Sequence, residues 1–213
     1  MKKYTVFLLI LYFFGCATMG NFIRPENRWG DLPGFIYGKM TAKKYNNVWK
    51  IFNDQKLDFY CDSQKNTVEI YSNDFIYRNG ITFTNESRLE LIKNISKYFE
   101  WEALAIKENV TLEKEVGQIR TPTAWKSNNS DKWYHGEANI IIKFFSQNTK
   151  RHQLLINFSE AHATENYYIT NKIDEIYFDK AEVEELNKLL SIENIKSGIE
   201  KQKAKASTEM KFK

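Results

Sequence analysis

The chain opens on an unbroken apolar run, residues 6–14, in which no charge occurs. From Val48 the pattern changes to alternation of apolar and polar positions, the two-residue period of a half-buried strand. It predicts strands near residues 48–52, 57–62, 67–72 and 75–83, separated by the turn formers Asn53-Asp54, residues 63–66 and Asn73-Asp74. Asn79-Gly80 reads as a tight hairpin or as a bulge inside one long strand.

At Ser87 the period lengthens. Ser87-Arg88-Leu89-Glu90 has the form of a capping box. Behind it Leu89, Ile92, Phe99, Ala103, Ile106 and Val110 recur at spacings of three and four, with Ile95 between them. That spacing predicts a long helix with this stripe as its core face, and with Glu90, Lys93, Lys97 and Glu100 on other sides. Residues 111–120 continue as a polar helix end or linker, and Thr121-Pro122 interrupts it. A polar tip follows between Trp125 and Trp133, and then strands near 138–145, 153–158 and 167–178, the last broken at Asn171-Lys172. The contiguous Ile140, Ile141 and Ile142 suggest a central strand covered on both faces. Asp179 is placed to cap a short helix over residues 180–190, with Val183, Leu186, Leu189 and Leu190 inward. Residues 196–213 are lysine-rich and read as a frayed helix or disordered tail.

These elements define an α+β chain: an antiparallel sheet of six to seven strands with one long and one short helix on one face. Residues 81–93 align without gaps on residues 176–188, from Ile81-Thr-Phe83 and Ile176-Tyr-Phe178 through to Leu91 and Leu186. A duplicated β-β-β-α unit would produce this echo, and so would any strand that runs into a capped helix. The boundaries follow as a leader (1–15), a tether (16–45), a domain (46–192, with halves 46–115 and 121–192) and a flexible tail (193–213).

The leader changes the picture most. Lys2 and Lys3 precede the nine-residue apolar run. A helix crossing a bilayer needs about twenty apolar residues, so the run fits a secretory signal and not a span. It ends at Phe13-Phe14-Gly15-Cys16, which resembles the lipobox of bacterial lipoproteins. The commonest lipobox has leucine near position 13 and a small residue at 14; the aromatic pair here looks more like the looser lipoboxes of spirochaetes and similar bacteria. The resemblance covers residues 1–16 alone. It implies cleavage before Cys16, a diacylglyceryl group on that thiol, and an extracytoplasmic protein anchored by lipid, at the outer membrane or cell surface ahead of the inner membrane.

Composition excludes more than it suggests. The chain has 31 basic and 27 acidic residues, net +4, which falls to +2 once Lys2 and Lys3 are removed. That is not the footprint of a nucleic-acid binder. With Cys16 lipidated, Cys61 is the only thiol left, so no internal disulfide forms. Alternation puts Cys61 on one face with Leu57 and Phe59, as a small buried hydrophobe.

Candidate chemistry is sparse. His152 opens a strand and reads as structural. Glu160, His162 and Glu165 share one loop and, with His135, are the raw material for a metal-dependent or hydrolytic alternative. A zinc site, however, wants three or four ligands on rigid elements, and this loop has one imidazole. No catalytic or metal residues and no cofactor are assigned. The candidate binding residues are Trp125, Trp133, Tyr134 and His135, as an aromatic platform for a glycan or a protein, or as a cross-strand pair that merely anchors a hairpin. The expectation is a non-enzymatic binding or structural lipoprotein, with its membrane and an unknown envelope or host molecule as partners.

Overall fold

The computed structural model describes residues 27–46 and 49–212; the apolar leader and Cys16 lie outside them. The chain is α+β, as the pattern predicts. The sheet has eight strands, however, and it closes on itself as an antiparallel barrel.

The strands in chain order are β1 (Phe35–Asn46), β2 (Ile51–Asp62), β3 (Thr67–Asn73) and β4 (Tyr77–Phe83), then helix α1 (Asn85–Glu108). There follow β5 (Glu113–Ser127), β6 (Tyr134–Asn148), β7 (Arg151–Phe158), a short ribbon of β8 (Ala161–Ala163) and β9 (Asn166–Asn171), then β10 (Ile176–Phe178), α2 (Lys180–Leu190) and α3 (Ile192–Met210). Around the barrel the order is β1-β10-β7-β6-β5-β4-β3-β2. Apart from the ribbon, this is two four-stranded meanders, each ending in a helix.

The likeness between halves extends to register. Ile70 faces Ile81 across β3–β4, and Ile156 faces Ile176 across β7–β10. Each half opens on a strand with one irregularity, ahead of Gly38 in β1 and ahead of Gly117 in β5. At both glycines a helix from the other half presses in: a Cβ on Gly38 would stand 2.4 Å from Leu189, and one on Gly117 2.4 Å from Asn94. Each half thus has the barrel order β-β-β-β-α, one strand more than the β-β-β-α unit expected from the echo at residues 81–93 and 176–188.

The interior is packed. Eight strands leave a barrel just wide enough for side chains to fill. Leu57, Phe59, Val68, Ile81, Ile140, Ile142, Leu154 and Phe178 all point inward and are buried. Helices close one end, with Leu91, Ile95 and Tyr98 of α1 and Val183, Leu186 and Leu190 of α2 in the same core. The residual cavity is about 20 Å³, lined by apolar side chains including Leu57, Ile81, Leu91 and Leu186. It is no ligand chamber, and it offers a water no polar partner. No helix among the described residues is long and apolar enough to cross a membrane.

Several sequence expectations are corrected. Part of the stretch expected as a tether, residues 16–45, is instead a full strand, Phe35–Asn46, and β2 runs straight through Asn53-Asp54. Residues 113–127 form β5, not a helix end. Pro122 is tolerated because the β4–β5 ladder stops at Ile81–Thr123, where the next carbonyl, that of Thr82, accepts from the Thr121 hydroxyl instead. Helix α1 starts earlier than the Ser87 box: Thr84 is the N-cap, and its side chain accepts from the Ser87 N–H at 3.2 Å. The buried face of α1 is Arg88, Leu91, Ile95, Tyr98, Glu102 and Ala105, about a quarter turn from the apolar stripe. The lysine-rich end is helix α3 through Met210, anchored by Ile195 and Ile199. Only α2 matches in bounds and inward residues. Its Glu182 carboxylate accepts from the Asp179 N–H at 2.8 Å, while Arg151 holds the Asp179 carboxylate with two hydrogen bonds.

The two readings of α1 separate by mutation. Leu91→Ala should cost about 2–5 kcal/mol in urea unfolding, whereas Leu89→Ala, at a position 51% exposed, should stay within about 0.5 kcal/mol. Equal losses would place the core face back on the stripe.

Candidate functional site

Because every neighbouring pair in the barrel is antiparallel, successive connections fall at alternate ends. Helices α1, α2 and α3 and the β2–β3 and β6–β7 turns occupy one end. The β1–β2, β3–β4 and β5–β6 turns and the ribbon gather at the other, here called the mouth.

The ribbon plugs the mouth. The inward-facing positions there are Trp125 and Ala138, and Ala161, Ala163 and Ile169 of the ribbon pack on them, with Tyr77 and Tyr134 at the edge. Gly136 makes room, since a Cβ on it would meet the His162 carbonyl at 2.4 Å. The plug is pinned by polar contacts. Thr164 donates to the His135 carbonyl through its N–H at 2.7 Å and its hydroxyl at 3.0 Å. Asn171 donates to Asn79 at 2.9 Å in a buried side-chain pair.

The four candidate binding residues therefore have unlike environments. Trp125 is 1% exposed. Tyr134 faces it across the β5–β6 ladder and is half-buried, with ring centres 6.2 Å apart. Trp133 is half-buried, its ring edge-to-face with Tyr71 and under the Lys126 ammonium. His135 is exposed. Trp125, Trp133 and Tyr134 do not share one open face; the burial of Trp125 makes it a packing residue of the plug.

Apart from Trp133, what the mouth exposes was not singled out by sequence pattern. Each connection there carries an aromatic side chain: Trp49 (73% exposed), Phe75 (98%), the half-buried Trp133, and Tyr167 with Tyr168 (93%). Ile51 and Ile76 add exposed apolar area beside them. Tyr167 is held in place, its ring stacked on His162 at 4.0 Å while its carbonyl bonds the same imidazole. The β3–β4 turn is also fixed. The Asp74 carboxylate accepts from the Ile76 and Tyr77 N–H groups, and the Asn128 side chain donates to the Asp74 and Phe75 carbonyls. A groove of about 360 Å³ runs between this turn, β9 and the end of β1, lined by Phe75, Tyr77, Thr170, Lys172 and the Lys44–Asp174 ion pair. Lone aromatics flanked by turn formers, such as Phe75 after Asn73-Asp74, were the available signal.

The groups weighed for catalysis are elsewhere or apart. His152 is buried at the helix end, stacked on Phe144, with Nδ1 2.8 Å from the Ser146 hydroxyl. Glu160 and Glu165 are exposed, and His162 is occupied by Tyr167. Among the described residues no three His, Cys, Asp or Glu side chains come together as a metal site. Cys61 is fully buried, and burial together with the neighbouring Asp62 pushes its thiol up to about 12. No family model matches this chain, and no curated protein and no solved structure is significantly similar to it.

Two measurements check this assignment. Trp125→Ala should destabilise the domain by about 3–5 kcal/mol as its cavity opens under the ribbon, while Phe75→Ala should change stability by no more than about 0.5 kcal/mol. The Cys61 thiol should resist a thiol reagent at neutral pH and react only at the rate of unfolding; prompt labelling of the folded protein would contradict its burial.

Proposed function

We propose that this chain is a membrane-tethered lipoprotein of a bacterial envelope that acts by binding, with the mouth of the barrel as its docking surface. The observation that carries the reading is the polarity of the molecule. The chain enters the barrel at the helix end, where the Trp29 N–H donates to the Asn66 side chain and the Gly30 N–H to the Ser63 carbonyl, both in the β2–β3 turn. Trp49, Phe75, Tyr167 and Tyr168, the exposed aromatics of the connections between strands, stand at the opposite end. A lipid on Cys16 would thus hold the helix end toward the bilayer and present Trp49, Phe75, Tyr167 and Tyr168 outward.

Two physical arguments support binding at this surface. The filled interior leaves no room for a carried ligand, so recognition falls to the outside. Tyr and Trp on short, pinned loops offer large contact area with little conformational entropy to lose, and such anchors dominate binding energy where they meet a partner.

The reading is tested in intact cells by placing a photoreactive phenylalanine analogue at Phe75, at Tyr168, or at Glu69 on the barrel wall. The mouth positions should give one shared crosslinked species that the wall position does not. Crosslinking equal from all three, or from none, would remove the mouth as the docking surface. The mature N-terminus is read separately by mass spectrometry: diacylglyceryl-modified Cys16 is expected, and an unmodified residue there would remove the anchor.

A further inference from the structure

The last helix outruns the domain it belongs to. Ile195 and Ile199 are its only buried residues, and Ile199 sits against Gly30, where a Cβ would be 3.3 Å from its side chain. The helix continues to Met210, about 16 Å further at 1.5 Å per residue, without another buried position. Residues 201–213 contain five lysines, Lys201, Lys203, Lys205, Lys211 and Lys213, and a single acid, Glu209. Lys203 pairs with Glu200 at 3.3 Å, and Lys205 lies 3.9 Å from Glu209, both on exposed side chains where such pairs hold loosely. At the tip Met210 and Phe212 are exposed among those charges.

This basic extension begins beside the segment that leads back to Cys16. The same end shows an exposed apolar shoulder on α1, Leu89 and Ile106, continued by Val110 just past its C-cap, each about half exposed. The stripe starts next to Arg88, whose guanidinium lies 5.4 Å over the Trp29 ring of the incoming chain. Lysines with interspersed apolar residues are what a headgroup layer of anionic lipid favours.

We propose that the helix end is a docking face for an anionic lipid surface, with residues 201–212, the end of α3 and the two residues after it, as its basic contact. It deepens the tethered reading: eleven residues from Cys16 to Asn27 could hold Asn27 as far as about 40 Å from the bilayer, and the lysines would draw the helix end down and fix the mouth outward. Lipidation itself is not needed for the contact, so the two can fail separately.

The test uses residues 17–213, which include every strand and helix described above and lack Cys16, in flotation with vesicles. Phosphatidylcholine vesicles containing phosphatidylglycerol should bind this protein, vesicles of phosphatidylcholine alone should not, and added salt should release it. A lysine near an anionic surface gains roughly fivefold in partition, so Lys201→Gln, Lys203→Gln and Lys205→Gln together should weaken binding about a hundredfold. These side chains are exposed, and an unchanged thermal melt would show that the fold survives. Equal binding to both vesicle types, absence of binding, or full binding by the triple variant would each overturn the proposal. If α3 instead meets an acidic protein, the result is absence of vesicle binding. Failure of the lipid anchor would appear only in the mass of the native N-terminus.

Discussion

A barrel stands or falls on its closing seam, and here the seam is short. Strand β1 pairs with β2 along its whole length but meets β10 only at Lys43–Tyr177 and Lys44–Ile176. The rest of that edge of β1 would present unpaired backbone groups if nothing covered it. Helix α2 covers it: Leu189 enters the space left by Gly38, and the Tyr37 hydroxyl donates to the Leu189 carbonyl at 2.9 Å. Gly117 admits Asn94 of α1 in the equivalent place. Each half therefore supplies the helix that finishes the other. Neither meander can complete its own core, which is the constraint that makes the domain one cooperative unit.

The same crossing explains where sequence pattern succeeds and fails. Helix α2 is legible because all of its inward residues are aliphatic. Helix α1 lies across strands and the end of α2, where carbonyls need donors, so its buried face mixes Leu91 and Ile95 with polar groups that satisfy them. Arg88 donates to the Leu190 carbonyl and Tyr98 to that of His152, and the half-buried Lys97 beside them donates to that of Val116. Hydrophobic periodicity counts such residues as surface and turns the face toward the shoulder stripe. Strand β5 is hidden for a related reason. Its exposed positions are charged residues, Gln118 and Pro122, and its inward Thr121 and Thr123 use their hydroxyls on the Thr82 and Gly80 carbonyls.

The aromatic residues divide along similar lines. Trp125 and Tyr134 belong to a small second core, created because the ribbon folds into the mouth instead of extending the sheet. Nothing local announces this; Ala161 and Ala163 are small only because Trp125 fills the space above them. Trp49, Phe75 and Tyr168 carry no periodicity at all. Their common feature is topological, a place in connections that an antiparallel barrel must send to the same end, and it becomes visible only once all eight strands are paired.

A full interior also decides what kind of variation the fold allows. Changes inside the barrel are felt through packing, since even one misplaced methylene has a cost at this density. The mouth loops are held by their own hydrogen bonds, Asp74 and Asn128 at one turn and His162 with Thr164 at the ribbon, so their exposed side chains can change without disturbing the core. Rigid stems carrying aromatic tips can therefore vary at those tips with little cost in stability. The helix end lacks that freedom, because the closing contacts of both halves and the incoming chain meet there. Separating the two ends leaves one to hold the barrel together and the other free to vary.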